Sequence, residues 1–276
     1  MPRPLDGIVV VDFTTMVAGP AATRLLADCG AEVIKIEACG EGDLLRGRYN
    51  IDLVSRYTYG LYNAGKKSIS LDLKTEAGME VVRRLIAKAD VVVENFRPGV
   101  MARLGLDYPS LAKAHPKLIY CSISGFGQTG PLAERPAYAP IVHAYSGLDI
   151  VVATAEEDRH GVPLKNAVLT ADVAAGNNAF AAIQTALLHR ERNGPGSFID
   201  VTLMESTMQM IGLQYQQAQA NVEPEPLNYP PIKSSDGYVI IPLIAPRTVF
   251  EVFKILGHAD WVSDPQYATR DGMRTA

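Results

Sequence analysis

Short, continuously apolar segments alternate with amphipathic ones through the first half of the chain, and this alternation restricts the fold more than any other feature. Strands are predicted at residues 8–13, 32–36, 68–73, 91–96 and 118–123, and helices at about 20–28, 76–88 and 107–115. Strands that are apolar on both faces and separated by helices are typical of a parallel sheet covered on both sides. The sequence therefore predicts an α/β fold with a Rossmann-like large domain and a mostly parallel sheet.

The second half of the chain is less regular. Residues 124–166 are rich in loops and contain one predicted helix, and a helix that is apolar nearly all round, and therefore expected to be buried, runs from Thr170 to about Arg190. A strand at 196–203, a helix at 204–220, a four-proline linker at 221–231 and a strand–helix unit at 237–257 complete the prediction. The predicted domains are a large domain at 1–200, a helical linker at 201–225 and the beginning of a small α+β domain at 226–276.

Composition excludes several classes of function. The net charge is −4 with both signs interspersed, no apolar run approaches the roughly 18 residues of a membrane span, and the first residues do not resemble a signal peptide. The three cysteines lie far apart, and the five histidines have no metal-ligand spacing. These features predict a cytoplasmic protein with no nucleic-acid partner, no membrane partner and no metal site.

Common cofactor and hydrolase motifs are also missing. The segment after the first strand, "TTMVAGPAATR", is not GxGxxG, and the chain has no P-loop and no GxSxG elbow. A Gly-Pro at a helix start still lets a ligand approach backbone amides, although a tight turn explains it equally well. The basic groups of "KKS" at 66–68, "ENFRPG" at 94–99 and Arg103 are expected at strand ends, where α/β proteins bind ligands, or else on the solvated surface.

One acid stands alone in the apolar helix. Asp172 is the only ionisable side chain between Lys165 and His189. An aspartate near a helix N-terminus caps free amides, and the same position keeps a carboxylate ionised and able to attack an activated acyl group. The Gly-Asn-Asn at 176–178 is expected to leave room for a ligand. From the residues alone, both interpretations of Asp172 stand.

Several segments together resemble the family III CoA-transferases, the CaiB/BaiF group that includes formyl-CoA and carnitine-CoA transferases and α-methylacyl-CoA racemases. The resemblance extends from the N-terminus to the last residue. It is carried by "PLDGIVVVDFTTMVAGPAAT", "GAEVIKIE", "GEGDLLR", "NAGKKSISLDLKTEAG", "ADVVVENFRPGVMARLGLDY", "PKLIYCSISGFGQTGP", the Asp172 stretch and "SSDGYVIIPL".

The resemblance implies a chemistry and a set of contacts. Asp172 corresponds to the family's catalytic aspartate, which attacks an acyl-CoA thioester and passes CoA through anhydride and aspartyl-CoA intermediates to a small carboxylic acid. No tightly bound cofactor is implied, because coenzyme A is a substrate. A cytoplasmic homodimer of interlocked chains is implied as well. The implied CoA contacts are Val17, Ala18, Leu71, Asp72, Leu73, Lys74, Asn95, Phe96, Arg97, Arg103, Pro136, Ala137, Tyr138 and Ala139. Of these, Lys74, Arg97 and Arg103 are the candidates for the phosphates, by charge.

The sequence departs from the family pattern in ways that keep two alternatives open. Ala38 and Cys39 stand where many relatives carry a basic residue, Tyr138 stands where the racemases carry a histidine, and the glycine-rich loop of formyl-CoA transferases is absent. Two-base proton transfer needs an acid and a base on opposite faces, so the loss of that histidine favours transfer over racemisation of a 2-substituted acyl-CoA. The chain also ends before the family's usual return to the large domain, which leaves a truncated, non-catalytic acyl-CoA-binding protein as the other alternative.

Overall fold

The computed structural model describes residues 2–46, 52–154, 168–220, 231–241 and 246–267. The chain forms two compact units, residues 1–222 and 223–276. All but the last residue of the predicted proline-rich linker lies outside the described residues.

A six-stranded parallel sheet forms the centre of the first unit, in the order β3-β2-β1-β4-β5-β6. The strands are β1 Val9–Asp12, β2 Glu32–Ala38, β3 Lys67–Leu71, β4 Val91–Glu94, β5 Ile119–Ser124 and β6 Phe198–Thr202. The predicted Rossmann-like α/β fold is therefore confirmed. The strand order reverses between β1 and β4, and in such sheets the crevice beyond the carboxyl ends of the strands at this point binds ligands.

Helices cover both faces of the sheet. They are α1 Ala18–Asp28, α2 Asp52–Asn63, α3 Glu76–Ile86, α4 Val100–Arg103, α5 Tyr108–Ala112, α6 Ala139–Ser146, α7 Leu148–Thr154, α8 Thr170–Asn193, α9 Leu203–Met210 and α10 Gly212–Ala220, with a 3-10 turn at Leu44–Arg46. No helix in the described part of the chain is both long enough and apolar enough to span a membrane.

Alternate strand residues supply two separate cores. Val10 and Val93 face one core with helices α1 and α8, whereas Val11 and Val92 face the other with Val82 of α3. This period of two explains why the strands are apolar along their whole length. Each of these fully buried side chains stabilises the fold by about 1.5–3 kcal/mol.

Three predicted elements differ from the structure. The predicted helix at 204–220 is interrupted at Ile211, which lies between α9 and α10. The loop-rich region contains two described helices, α6 and α7, instead of one, and α2 was not predicted at all. Helix α8 is not buried all round, because Ala175, Ala179 and Ile183 are buried on one face while Leu188 is half exposed on another.

The second unit is small. It contains the antiparallel hairpin β7 Ile232–Lys233 and β8 Tyr238–Val239, the helix α11 Pro246–Ile255 and two 3-10 turns at Ala259–Ser263 and Pro265–Tyr267. The rings of Phe253, Trp261 and Tyr267 pack on one another with centroids 5.0–5.4 Å apart. The strand predicted from residue 237 is present but short, and residues 242–245 lie outside the described residues.

Candidate active site

A cavity of about 640 Å³ opens at the carboxyl ends of β1, β4 and β5. Its walls come from the loops that follow these strands, from α2, from residues 133–141 and from the first turn of α8. Because these strands are parallel, the loops after them meet at one edge of the sheet. The cavity is therefore a direct consequence of the strand order.

Asp172 lines this cavity from the third position of α8. The N-cap position belongs to Leu169, so Asp172 is not the N-cap residue. Burial raises the pKa of Asp172 to about 6, and the backbone N–H groups of Ala18 and of Asp172 itself oppose that shift only in part. The side chain is therefore still mostly ionised at pH 7, although burial and not the helix end dominates its pKa.

Close packing of α1 against α8 places Asp172. A Cβ on Gly176 would lie 2.8 Å from the Ala18 carbonyl oxygen and 2.9 Å from the Ala21 Cβ atom. The glycine therefore lets the two helices approach, and the space expected for a ligand is filled by α1. Asn178 donates to the Ser206 hydroxyl and the Gln209 side-chain oxygen, so it too is engaged within the fold.

The loop after β1 is held by a buried ion pair. Met16 lines the cavity and has a φ of 67°, the left-handed region that costs a non-glycine residue about 1 kcal/mol or more. Its N–H donates to Asp43 at 3.2 Å. The Lys35 Nζ atom lies 2.9 Å from the Asp43 carboxylate and donates to the Thr14 carbonyl. Both charged side chains are fully buried.

A second buried pair lies beneath the same loop. The Asp12 carboxylate accepts from Thr14 and Thr23 and lies 3.1 Å from Lys66 Nζ. Burial alone would raise the pKa of Asp12, but the charges of Lys66 and Lys35 outweigh it and hold the pKa below its usual range. Lys66 also donates to Asn63, which ties the end of α2 to this network.

Lys66 does not act as the sequence suggested, whereas Lys67 matches the solvated-surface interpretation. They lie at the beginning of β3, not at its carboxyl end, and Lys67 forms a surface pair with Glu32 at 2.6 Å. Both the ligand-binding and the solvated-surface interpretations are wrong for Lys66, because a charge pattern does not show that its partner is a buried aspartate.

Most of the predicted CoA contacts border the cavity together with Asp172. These are Val17, Ala18, Asn95, Phe96, Arg97, Pro136, Ala137, Tyr138 and Ala139. The side chain of Asn95 is also structural, since it both accepts from and donates to the backbone of Thr15.

The remaining predicted contacts do not line this cavity in the described structure. Leu71 ends β3, and Leu71 and Leu73 pack against the second core. Asp72 accepts from the Lys74 N–H in the turn that follows. The Lys74 side chain is exposed, as is Arg103 in α4. Their role in binding CoA phosphates stays a prediction.

Among the described residues that line the cavity, two ionisable ones were not predicted. Tyr62 of α2 lines the cavity, and its pKa is raised by burial and by the nearby charge of Asp172. Arg135 also lines it and donates to the Tyr145 hydroxyl. The aromatic run "YTYGLY" at 57–62 was the signal that could have directed attention to α2.

The chemistry of the cavity wall is simple. Among the described residues that line it, Asp172 is the one acid, and Arg97 and Arg135 are the cations. The described part of the chain contains no group of three or more His, Cys, Asp or Glu side chains that could hold a metal ion. A desolvated carboxylate in a cavity that also contains guanidinium groups suits acyl transfer to and from carboxylates.

Comparison with known proteins agrees with this chemistry. The sequence profile of CoA-transferase family III matches residues 5–276. The succinate–glutarate CoA-transferase of Agrobacterium fabrum is 38% identical over an alignment of 282 residues, gaps included. The alignment covers 96% of this chain and 70% of that protein. The acetyl-CoA:oxalate CoA-transferase of Acetobacter aceti is 46% identical over 208 residues, which cover 74% of this chain and 52% of that protein.

The fold is shared with solved relatives. The crystal structure of a CaiB/BaiF family protein from Brucella suis superposes with a TM-score of 0.84 and 37% identity, covering 100% of this chain and 75% of that one. The chain spans about half to seven tenths of the length of the two curated relatives it matches. On the match over nearly its whole sequence, the chain belongs to CoA-transferase family III.

Proposed function

We propose that the protein transfers CoA from an acyl-CoA donor to a carboxylic acid acceptor, with Asp172 as the covalent nucleophile. The observation that carries this proposal is the placement of Asp172, the one acid among the described residues of the cavity wall. Its raised pKa of about 6 leaves it ionised yet poorly solvated at neutral pH. Such a carboxylate is a better nucleophile than one in water.

Each step of the proposed reaction exchanges one acyl bond for another. Asp172 attacks the thioester carbonyl carbon, the C–S bond breaks and CoA leaves as the thiolate, giving a mixed anhydride. The thiolate attacks the aspartyl carbonyl and releases the donor acid, which leaves an aspartyl-CoA thioester. The acceptor carboxylate then displaces the thiolate from this thioester. The thiolate finally attacks the acceptor's acyl carbon, which yields the new acyl-CoA and free Asp172.

The chain's other cavity residues have supporting roles in this proposal. Arg97 and Arg135 attract the carboxylates and phosphates of the substrates by charge. The N–H of Ala18 favours the ionised form of Asp172 and is a hydrogen-bond donor at the reacting centre. Val17 and residues 136–139 form walls that exclude water from the anhydrides.

The acceptor and donor are proposed to be short dicarboxylic acids and their CoA thioesters. The names of the two relatives contain succinate, glutarate and oxalate, which are dicarboxylates, together with acetyl-CoA as a partner of oxalate. Two guanidinium groups on the cavity wall fit acids that keep a second carboxylate during the reaction. The homodimer and the cytoplasmic location stay predictions, and sedimentation of the purified protein tests the dimer.

Racemisation has less support than transfer. It needs a second base facing Asp172, and among the described residues no histidine lines the cavity. Tyr138, at the position of the racemase histidine, borders the cavity with 55% of its surface exposed. A tyrosine hydroxyl does not replace the histidine in this role, because it lacks the imidazole nitrogen that takes up a proton near neutral pH.

The decisive experiment traps the aspartyl intermediate. The purified protein is incubated with succinyl-CoA and glutarate, hydroxylamine is added, and the peptides are analysed by mass spectrometry. We expect a hydroxamate on Asp172 and loss of CoA transfer by at least about 10³-fold in Asp172→Ala. Glu191→Ala, an exposed acid on the same helix, is the matched control and should keep full activity.

Three outcomes contradict the proposal. Full CoA transfer by Asp172→Ala would show that Asp172 is not the nucleophile. Binding of CoA with neither transfer nor deuterium exchange at the α-carbon would favour the non-catalytic binding protein, and deuterium exchange without CoA transfer would favour the racemase.

A further inference from the structure

His143 of α6 is buried in the fold and contacts the first turn of the helix that carries Asp172. Its side chain is 1% exposed, and its Nε2 atom accepts a hydrogen bond from the N–H of Ala171 at 3.2 Å. Ala171 directly precedes Asp172 and is itself fully buried. The first N–H groups of a helix have no partner within the helix, so an acceptor from another element satisfies one of them.

The hydrogen bond determines the protonation of the ring. Because Nε2 accepts, the neutral imidazole carries its proton on Nδ1. The Nδ1 atom faces the Asp149 carboxylate of α7 at 3.9 Å, beyond hydrogen-bond distance but close enough for attraction. Neither Nδ1 nor this Asp149 oxygen has another partner among the described residues.

We propose that His143, oriented by Asp149, is a positioning residue that occupies the Ala171 N–H and so keeps it from becoming a further donor to the Asp172 carboxylate. That carboxylate already accepts from the N–H groups of Ala18 and of Asp172 itself. This inference rests on the proposed nucleophilic role of Asp172. Without the imidazole, the most accessible acceptor for the Ala171 N–H is the Asp172 carboxylate itself, since an aspartate in the first turn readily bonds free helix amides. A carboxylate engaged in this way is turned from the thioester and is a weaker nucleophile.

His143 does not act on the substrate directly. It is not among the described residues that line the cavity. One nitrogen is occupied by a backbone amide and the other faces Asp149, so neither can take a proton from a bound acyl-CoA. Two contacts therefore locate Asp172: Gly176 sets α8 against α1, and His143 sets its first turn against α6.

The ionisable groups around His143 and Asp172 must be considered when a change in the titration of Asp172 is interpreted. Asp149 faces the imidazole from α7, Tyr62 faces Asp172 from α2, and Arg97 and Arg135 border the cavity. Removal of His143 leaves the surroundings of Tyr62, Arg97 and Arg135 unchanged but takes the facing imidazole from Asp149. The His143→Gln variant keeps a polar group opposite Asp149, so the difference between the two variants in the titration of Asp172 reports the new hydrogen bond.

The test compares His143→Leu, which removes the acceptor, with His143→Gln, whose amide oxygen can accept from Ala171 while its NH₂ faces Asp149. His189→Leu, at the exposed far end of α8, is the matched control. In His143→Leu we expect kcat for CoA transfer to fall about tenfold with KM for acyl-CoA within about twofold. We also expect the acid limb of the pH–rate profile to move down by about 0.5–1 pH. His143→Gln should keep kcat within about threefold and the limb in place.

Wild-type kcat and an unmoved acid limb in His143→Leu would overturn the proposal. So would a His143→Gln variant as impaired as His143→Leu. If His143→Leu does not fold, Asp149→Leu takes its place, because it leaves the ring but removes the group that orients it; an unchanged kcat there overturns the proposal.

A measurement that needs no catalytic turnover tests this inference separately from the proposed function. The carboxyl carbon of Asp172 is followed by NMR in ¹³C-aspartate-labelled protein and assigned with Asp172→Asn. If the wild type forms no Asp172 hydroxamate, the proposed function fails. The NMR titration still tests whether His143 keeps the Ala171 N–H from the Asp172 carboxylate. A lower Asp172 pKa in His143→Leu supports it, and an unchanged one overturns it.

Discussion

The side-chain amide of Asn95 forms two hydrogen bonds with the backbone of Thr15, each 2.8 Å long. The Thr15 N–H donates to the Asn95 oxygen, and the Asn95 NH₂ donates to the Thr15 carbonyl. This pair joins the loops after β1 and β4, the two strands between which the sheet order reverses. Both loops line the cavity, so the pair sets its width.

Asn95→Asp should break only the hydrogen bond that the Asn95 NH₂ donates to the Thr15 carbonyl. A carboxylate has no N–H, so the Thr15 carbonyl would lose its donor and face a negative oxygen. We expect the free energy of unfolding to fall by about 1–3 kcal/mol and KM for acyl-CoA to rise. Urea unfolding measures the change in stability, and steady-state kinetics measure the change in KM. Asn177→Asp, exposed on α8, is the control, and equal stability of the two variants would contradict the prediction.

Lys66→Met and Lys67→Met should differ sharply although the residues are adjacent. Lys66 is 1% exposed beside a fully buried Asp12, so its loss leaves an unpaired buried charge and should cost about 3–5 kcal/mol. Lys67 pairs with Glu32 on the surface, so its loss should cost about 0–1 kcal/mol. Chemical unfolding of both variants checks this, and similar costs would show that the Asp12 pair is not buried as described.

Gly176→Ala should move α8 away from α1. The added methyl would contact the Ala18 carbonyl at 2.8 Å, so we expect a loss of about 1–3 kcal/mol in stability together with a lower kcat. Gly60→Ala in α2 is the control, and it should raise the stability instead of lowering it. A Cβ there meets nothing within 4 Å, and alanine should stabilise the helix by about 0.5–1 kcal/mol. Gly176→Ala with unchanged stability would refute the close helix contact.

Asp172→Asn should stabilise the protein at neutral pH while removing activity. Burial raises the pKa of Asp172 from 3.8 to about 6, so the folded state binds the proton more tightly than the unfolded chain. The contribution of Asp172 is therefore most favourable below about pH 4 and is lost as pH rises through about 6. We expect Asp172→Asn to gain up to about 3 kcal/mol at pH 7.5 and little at pH 4. A variant less stable than wild type at pH 7.5 would contradict this.

The rate of the first covalent step should follow the ionisation of the same carboxyl. Because the ionised form attacks, kcat/KM for the acyl-CoA donor should rise with pH, reach half its maximum near the Asp172 pKa of about 6 and level off above about 7. Initial rates from pH 5 to 8 measure this. A profile that is flat over this range would show that Asp172 titrates elsewhere or does not take part.

Local sequence patterns predicted the sheet well for a physical reason. Val10 and Val92 are apolar because both faces of a parallel strand are buried, and that constraint is visible along the chain. The N-cap of α3 is another local feature, because the side chain of Thr75 accepts from the N–H of Gly78 three residues later. Helix α8 was less predictable, because an exposed Leu188 looks in sequence like a buried one.

Partners distant in sequence could not be predicted. Lys66 meets Asp12 across 54 residues, and His143 meets Ala171 across 28. Neither residue stands in a pattern that identifies its partner. Gly176 was interpreted as room for a ligand because sequence does not show that α1 fills that space.

The sequence by itself determined the parallel α/β architecture, the family, and the isolation of Asp172 among apolar residues. The architecture and the isolation of Asp172 follow from composition and periodicity, and the family follows from its resemblance in short sequence segments. All three can be seen along the chain. Only the tertiary structure decided that Asp172 has a raised pKa, that α1 and His143 hold the first turn of its helix, and that Lys66 serves the fold instead of a ligand. Burial and long-range contacts set these properties, and both exist only once distant segments pack together.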